Sequence, residues 1–129
     1  MFRMICLFML AMAMSLPTAW ADGQARYIHL EPAFVLNYGS TGRMKYLRTE
    51  VALLVRSPEA ASQVSRHRPY IRNNLVMLMS AQEPDIMNTA EGRESLRQVA
   101  LDEVRALMLV LEGNEYVDEL YFNNFVVQN

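Results

Sequence analysis

The sequence predicts an α+β fold, in which a small antiparallel or mixed sheet has helices between its first strands and its C-terminal strand. Two observations favour this class. Stretches rich in β-branched and aromatic residues lie near both ends of residues 22–129, and stretches with a 3.6-residue apolar period lie between them. The predicted order is strand, strand, helix, helix, helix, strand, within a single domain spanning residues 22–129.

The N-terminal segment, residues 1–21, is expected to be either a cleaved export signal or a short membrane anchor. Arg3 precedes thirteen uncharged residues at positions 4–16. As a helix they would span about 20 Å, less than the roughly 30 Å hydrocarbon core of a bilayer. Small residues at positions 19 and 21 predict signal-peptidase cleavage between Ala21 and Asp22. We therefore expect an exported domain, with inner-membrane association as the alternative.

Composition excludes two classes of function. The single cysteine, Cys6, lies in the N-terminal segment, so the remaining chain holds no thiol for disulfide or nucleophilic chemistry. Without Arg3, eleven basic side chains stand against fourteen acidic ones. This balance argues against nucleic acid as a partner, because binding to phosphates needs a basic field.

The first two strands are predicted on either side of a glycine-rich turn. Residues 27–37 contain Pro32, which cannot donate a ladder hydrogen bond, so we expect an edge strand or one interrupted by a bulge. Residues 43–56 alternate between apolar and polar side chains, which predicts a strand with one buried face. That face consists of Leu47, Thr49, Val51, Leu53 and Val55.

The first two helices are predicted from their start signals. Ser57 is the expected N-cap and Pro58 the first residue of a short helix. That helix should end before Pro69, since residues that precede proline avoid the α region. Pro69 then opens a second helix, and residues 81–89 are interpreted as a connector.

The third helix is long and amphipathic. Asn88, with Glu91 three residues later, resembles a capping box at its start, and Gly113 is the natural stop. Its apolar stripe is Leu96, Val99 or Ala100, Val104, Leu107 or Met108, and Leu111. Residues 116–127 are apolar on both faces, which favours an interior strand of the sheet.

The sequence offers interaction residues and no catalytic, cofactor or metal site. Its two histidines, His29 and His67, lie far apart without a ligand-type spacing. Near His67 stand Arg66, Arg68 and Arg72, either a solvated helix junction or an arginine-lined patch that binds an acidic surface. Three apolar residues lie off the stripe of the long helix, where either a wide core face or a subunit contact explains them: Leu101, Leu109 and Val110.

Several motifs, in order, resemble the periplasmic domain of the flagellar basal-body-associated FliL family. The first is His-x-Pro-x-Ile-Arg at positions 67–72, and the second is Thr-x-x-Gly-x-x-x-Leu at positions 89–96. The third is Val, then Tyr-Phe-x-x-Phe-Val-x-Gln, at positions 117–128. Positions 34–55 also fit the paired strands of the family, so the resemblance covers residues 27–128.

The resemblance implies a stomatin/SPFH-like fold and a role without catalysis or cofactor. Proteins of this family form a ring around the flagellar stator, so the expected partners are further copies of the chain and stator proteins of the MotA/MotB type. The expected location is the periplasm, at the inner-membrane flagellar basal body, with a role in motility. The alternative from the residues alone is a soluble exported domain, unrelated to the motor, that binds a ligand between sheet and helices.

Overall fold

One three-stranded antiparallel sheet and four helices make up the part of the chain that the computed structural model describes, residues 25–40 and 42–128. Strands β1 (Arg26–Tyr38) and β2 (Lys45–Val55) come first. Helices α1 (Pro58–Arg66), α2 (Arg68–Ser80), α3 (Pro84–Asn88) and α4 (Ala90–Glu112) follow, and β3 (Glu119–Gln128) comes last. The predicted α+β class is confirmed. Residues 1–21 and the predicted Ala21–Asp22 cleavage site lie outside the described residues.

Strand β1 forms one edge of the sheet and is interrupted at its proline, as predicted. The register with β2 shifts between Leu30 and Phe34, and the Glu31–Pro32 peptide bond is cis. Phe34 is almost fully buried after the bulge, so the strand regains its inward face there. The turn to β2 contains Gly39 and Gly42, both with positive φ.

Strand β2 is the centre of the sheet and supplies much of the core. Its predicted inward face is confirmed, because all five side chains are at most 1% exposed. The one polar member, Thr49, donates its hydroxyl hydrogen bond to the Asn123 carbonyl at 3.1 Å. Ala52 is also buried although it points to the other face, since the rings of Tyr27 and Tyr121 stand on the flanking strands with centroids 6.3 Å apart.

Strand β3 is an edge strand, so the prediction of an interior strand was wrong. It pairs with β2 alone among the described strands, and it begins at Glu119, three residues after Tyr116, whose φ is 55°. Its register shifts near Asn124, whose φ is 52°. Phe122, Phe125 and Val127 pack partly buried against the core. One apolar face of β3 packs against the helices, and the other is exposed to solvent. No further strand among the described residues pairs with its outer edge.

The helix boundaries confirm two predicted caps and correct a third. The Ser57 hydroxyl accepts from the Ala60 N–H at 3.0 Å, and Gly113 ends α4 at a φ of 74°. The cap of α4 is Thr89, whose hydroxyl accepts from the Gly92 N–H at 3.0 Å. Asn88 was the wrong candidate because it is the last residue of α3.

The predicted connector at residues 81–89 contains helix α3. Pro84 lies in its first turn, Met87 is fully buried and Ile86 packs partly buried against the core, so these apolar side chains anchor the short helix. Gly92 lets α3 approach α4 closely, because a Cβ atom there would lie 2.7 Å from the Ile86 Cα. The pair therefore forms a corner that only glycine accommodates.

The core lies between the sheet and the helices. Helices α2 and α4 each bury one stripe against it at helical spacing, but Leu111, the last member of the stripe predicted for α4, is exposed because the helix ends beside it. The buried residues are Ile71, Leu75 and Met79 of α2, and Leu96, Ala100, Leu101, Val104 and Met108 of α4. No helix within the described ranges is long and apolar enough to cross a membrane.

Candidate functional site

His67 has a structural partner at the helix junction. Its Nε2 lies 2.5 Å from the Glu112 Oε1, and both side chains are largely shielded from solvent. The contact joins the residue between α1 and α2 to the end of α4. No group of three or more His, Cys, Asp or Glu side chains within residues 25–40 and 42–128 is arranged to hold a metal ion.

Arg72 also serves the fold. Its guanidinium lies 4.1 Å from the centre of the Phe34 ring and donates to the carbonyls of Pro32 at 2.7 Å and Ala33 at 3.3 Å. A planar guanidinium can stack and donate at once, which a lysine cannot do. Arg72 therefore holds the bulge of β1 against α2.

The predicted basic cluster is consequently divided by role. His67 and Arg72 are occupied by internal contacts, whereas Arg66 and Arg68 are exposed. Arg68 and Arg72 both line a cavity of about 230 Å³ beside Leu30 and Glu31. Of these four residues, Arg66 and Arg68 are therefore the two whose side chains are accessible to a partner.

The three apolar residues off the α4 stripe also divide into buried and exposed positions. Leu101 is 8% exposed and belongs to the core, so of the two explanations offered for it the wide core face of α4 is the one that the structure supports. Leu109 and Val110 are 50% and 82% exposed. They belong to what we call the α4 outer face, which comprises Val99, Asp102, Glu103, Ala106, Leu109 and Val110.

A second exposed surface, missed by sequence reasoning, is the side of the sheet that faces away from the helices. We call it the open sheet face, and its main members are Tyr27, Val35, Tyr46, Arg48, Tyr121 and Val126. The register places Arg48 between Val35 and Val126, which are 70% and 48% exposed. Only the register shows that these residues, distant in sequence, are neighbours, although their exposure follows from alternation with the buried face.

The open sheet face contains a shallow depression at the β1 bulge. A cavity of about 530 Å³ is lined by the bulge and by the neighbouring part of β2. Its polar lining includes His29, Glu31, Arg48 and Glu50. The Glu50 carboxylate accepts a hydrogen bond from the Asn124 side chain at 3.1 Å, so it is held in place on this face.

Arg97 connects α4 to β3. Its guanidinium pairs with Glu94 at 2.7 Å and Glu119 at 2.9 Å, and donates to the Leu120 carbonyl at 3.1 Å. Hydrogen bonds from Arg97, and then from Gln98, lower the pKa of Glu94 to about 2. Next to it, Arg93 stacks 5.2 Å from the Phe125 ring in a groove of about 310 Å³. These contacts position the edge strand and leave its aromatic residues partly accessible.

Comparison with known proteins identifies one family. The model of the flagellar basal body-associated protein FliL family matches residues 27–128, which is most of the chain. The flagellar protein FliL of Aquifex aeolicus (strain VF5) is 28% identical over 99 residues. That alignment covers 77% of this chain and 59% of the relative, so the chain spans less than two thirds of the protein it matches.

Proposed function

The chain belongs to the FliL family of flagellar basal body-associated proteins, and from that premise we propose that it supports the flagellar stator as a periplasmic, non-enzymatic assembly domain. In this role it binds further copies of itself and stator proteins, and promotes stator engagement and motility. The single observation that carries the proposal is the family match over residues 27–128, because it includes all the strands and helices of the described residues apart from Arg26 at the start of β1.

The surface chemistry supports binding in place of catalysis. Two side chains that could serve as catalytic groups are used in internal contacts, His67 with Glu112 and Arg72 with the β1 bulge. His29 is exposed and lines the depression at that bulge. The larger exposed features are the open sheet face and the amphipathic outer face of α4, which suit protein contacts. The described residues therefore offer area for contact with a partner.

Export is part of the proposal. Residues 1–21 either direct the domain to the periplasm and are removed there, or keep it at the inner membrane near the motor. Either route places residues 22–129 in the periplasm, where the proposed contact with stator proteins would form. N-terminal sequencing of the purified protein distinguishes them, since a start at Asp22 establishes cleavage.

Purification of flagellar basal bodies tests the proposed location. The chain carrying a C-terminal epitope tag is expressed from its own promoter, and basal bodies are isolated from wild-type cells and from cells lacking the stator proteins. We expect the chain in the first preparation and markedly less in the second. Equal absence from both, with the protein abundant elsewhere in the cell, would contradict the proposal and favour a ligand-binding domain unrelated to the motor.

A further inference from the structure

Two shallow cavities adjoin on the open sheet face. One is the cavity of about 530 Å³ at the β1 bulge, and the other, of about 360 Å³, is lined by Tyr27 and Tyr121. His29 lines both cavities, and we call the pair the sheet depression. Each volume lies in the range of about 300–1,000 Å³ that is usual for small-molecule sites. The sheet depression is therefore large enough to hold part of an elongated ligand.

One end of the sheet depression is aromatic. The rings of Tyr27 and Tyr121 have centroids 6.3 Å apart, and the two residues are 57% and 38% exposed. Between them lies Ala52, whose small side chain forms part of the cavity lining. The electron-rich face of an aromatic ring attracts polarised C–H groups. A sugar ring carries such C–H groups on its apolar face, so this end suits the stacking of a sugar.

The other end is polar and carries both signs of charge. Glu31, Arg48 and Glu50 line it. The ion pairs found among the described residues involve none of these three side chains. Glu50 is positioned by the Asn124 side chain, which donates to its carboxylate at 3.1 Å. The cavity thus offers carboxylate acceptors and a guanidinium donor that remain available to a ligand.

This mixture of charges argues against simpler ligands. Two carboxylates disfavour an anion, and the guanidinium between strands disfavours a cation. No group of three or more His, Cys, Asp or Glu side chains in the part of the chain that the structure describes could hold a metal ion. A hydroxyl group, in contrast, can donate to a carboxylate and accept from a guanidinium at once. The lining therefore favours a neutral ligand that is rich in hydroxyl groups.

We propose that the sheet depression binds an oligosaccharide. One sugar ring stacks on Tyr27 and Tyr121, and the hydroxyl groups of the next sugar bind Arg48 and Glu50. The source that we assign is the glycan of the bacterial cell wall, because this polysaccharide surrounds a domain exported to the periplasm. The inference thus rests on the export that is part of the proposed function, and it does not need the contact with the stator.

The middle of the sheet depression suits the substituents of cell-wall sugars. His29 and Asn123 line the aromatic cavity beside the two tyrosines. An asparagine side chain supplies both a donor and an acceptor, which is the pattern that an acetamido group requires. The sugars of the cell wall carry acetamido groups, whereas those of cellulose do not. Asn123 therefore gives a basis for distinguishing the two kinds of glycan.

Cosedimentation with purified cell-wall sacculi tests the proposal. The full chain is purified, in detergent if the membrane retains it, and its binding to sacculi is measured at low and at raised salt concentration. Chitohexaose, a neutral chain of acetamido sugars, is added as a soluble competitor, and calorimetry measures its affinity for the chain. Cellohexaose has the same length without acetamido groups and is the control competitor.

Two substitutions alter the site and one leaves it intact. Tyr27→Ala removes half of the aromatic end, and Glu50→Gln removes a charged acceptor with little change of shape. Tyr70→Ala is the matched control, since Tyr70 is 60% exposed on α2 and lines neither cavity. Circular dichroism and the unfolding midpoint establish that each variant is folded. Glu50→Gln and Tyr121→Ala provide the comparison if Tyr27→Ala does not fold.

We expect the wild type and Tyr70→Ala to bind sacculi and chitohexaose equally. The affinity of Tyr27→Ala and Glu50→Gln should be at least about tenfold lower, as for the loss of a buried anchor or of a hydrogen bond to a charged group. Cellohexaose should compete at least about tenfold less well than chitohexaose, because it leaves the Asn123 amide without a partner. Raised salt should change binding little, since stacking and hydroxyl contacts are not screened.

Five results would overturn the inference. They are a wild type that does not bind sacculi, binding that chitohexaose does not displace, binding that raised salt abolishes, equal affinities of Tyr27→Ala and Tyr70→Ala, and equal competition by cellohexaose. Loss of motility in Tyr27→Ala without any binding of sugar would assign the open sheet face to a protein partner.

These outcomes are separate from the motor role. Recovery of the chain with basal bodies would uphold that role even where no sugar binds. Binding to sacculi by a chain that is absent from basal bodies would uphold the oligosaccharide site alone.

Discussion

Two arginine side chains hold the outer strands of the sheet against the helices. Arg72 reaches from α2 to the carbonyls of Pro32 and Ala33 in β1, and Arg97 reaches from α4 to the Leu120 carbonyl in β3. Each guanidinium also lies over an aromatic ring, Phe34 in one case and Tyr121 in the other. The sequence indicated an arginine cluster at residues 66–72 but not that Arg72 binds β1. The contact joins residues forty positions apart, so it depends on the fold.

At the residue scale we predict that Arg72→Lys lowers the free energy of unfolding by about 1–3 kcal/mol, because it removes two hydrogen bonds and the stacking on Phe34. Arg68→Lys is the matched control: Arg68 is exposed, so its change should stay within about 0.5 kcal/mol. Urea denaturation of both variants provides the measurement. Equal stabilities of the two would show that Arg72 does not hold the bulge.

At the scale of elements, periodicity predicted the parts that are long and one-sided. Strand β2 alternates between polar and apolar residues from Tyr46 to Val51, and α4 keeps its apolar period over most of twenty-three residues, so each pattern is long enough to identify the buried face. Helix α3 is five residues long, which is too short for a period to appear, so the sequence predicts only a connector there. The missed helix moved the cap of α4 by one residue, from Asn88 to Thr89.

That correction gives a direct comparison of neighbouring residues. We predict that Thr89→Ala destabilises the domain by about 1 kcal/mol, because the Gly92 N–H at the start of α4 loses its acceptor. Asn88→Ala should change the stability by less than half as much, since Asn88 is exposed and its side chain accepts no capping hydrogen bond from α4. The difference between their urea midpoints measures the effect. A larger loss of stability for Asn88→Ala than for Thr89→Ala would contradict this assignment and support Asn88 as the cap, as the sequence suggested.

The candidate surfaces could be predicted only in part, because the order of the strands in the sheet cannot be read from the sequence. Residues 116–127 are apolar on both faces, and this pattern fits an interior strand as well as an edge strand with one uncovered side. Only the order β1-β2-β3 decides between the two, and that order depends on long-range pairing such as Leu47 with Val127. The same pairing creates the open sheet face, so sequence reasoning could find Leu109 and Val110 on a helix but not Val35 beside Val126.

At the scale of the whole molecule, the fold is a sheet with helices on one side. A two-layer domain buries its core between the layers and leaves the outer side of the sheet to solvent or to a partner. Here that side carries valine and tyrosine side chains around Arg48 and Glu50, and the outer side of α4 carries valine and leucine around two carboxylates. Such an architecture suits a domain that works by contact, in agreement with its membership of the FliL family.

The most direct test of the motor role is the swimming behaviour of a strain that lacks this chain. We predict that deletion reduces the swimming speed and the spread in soft agar, and that fewer labelled stator units remain at the motor. Expression of the wild-type chain, or of Met77→Glu, should restore all three quantities, because position 77 lies outside the open sheet face and the α4 outer face. A deletion strain that swims and retains its stators like the wild type would contradict the proposed function.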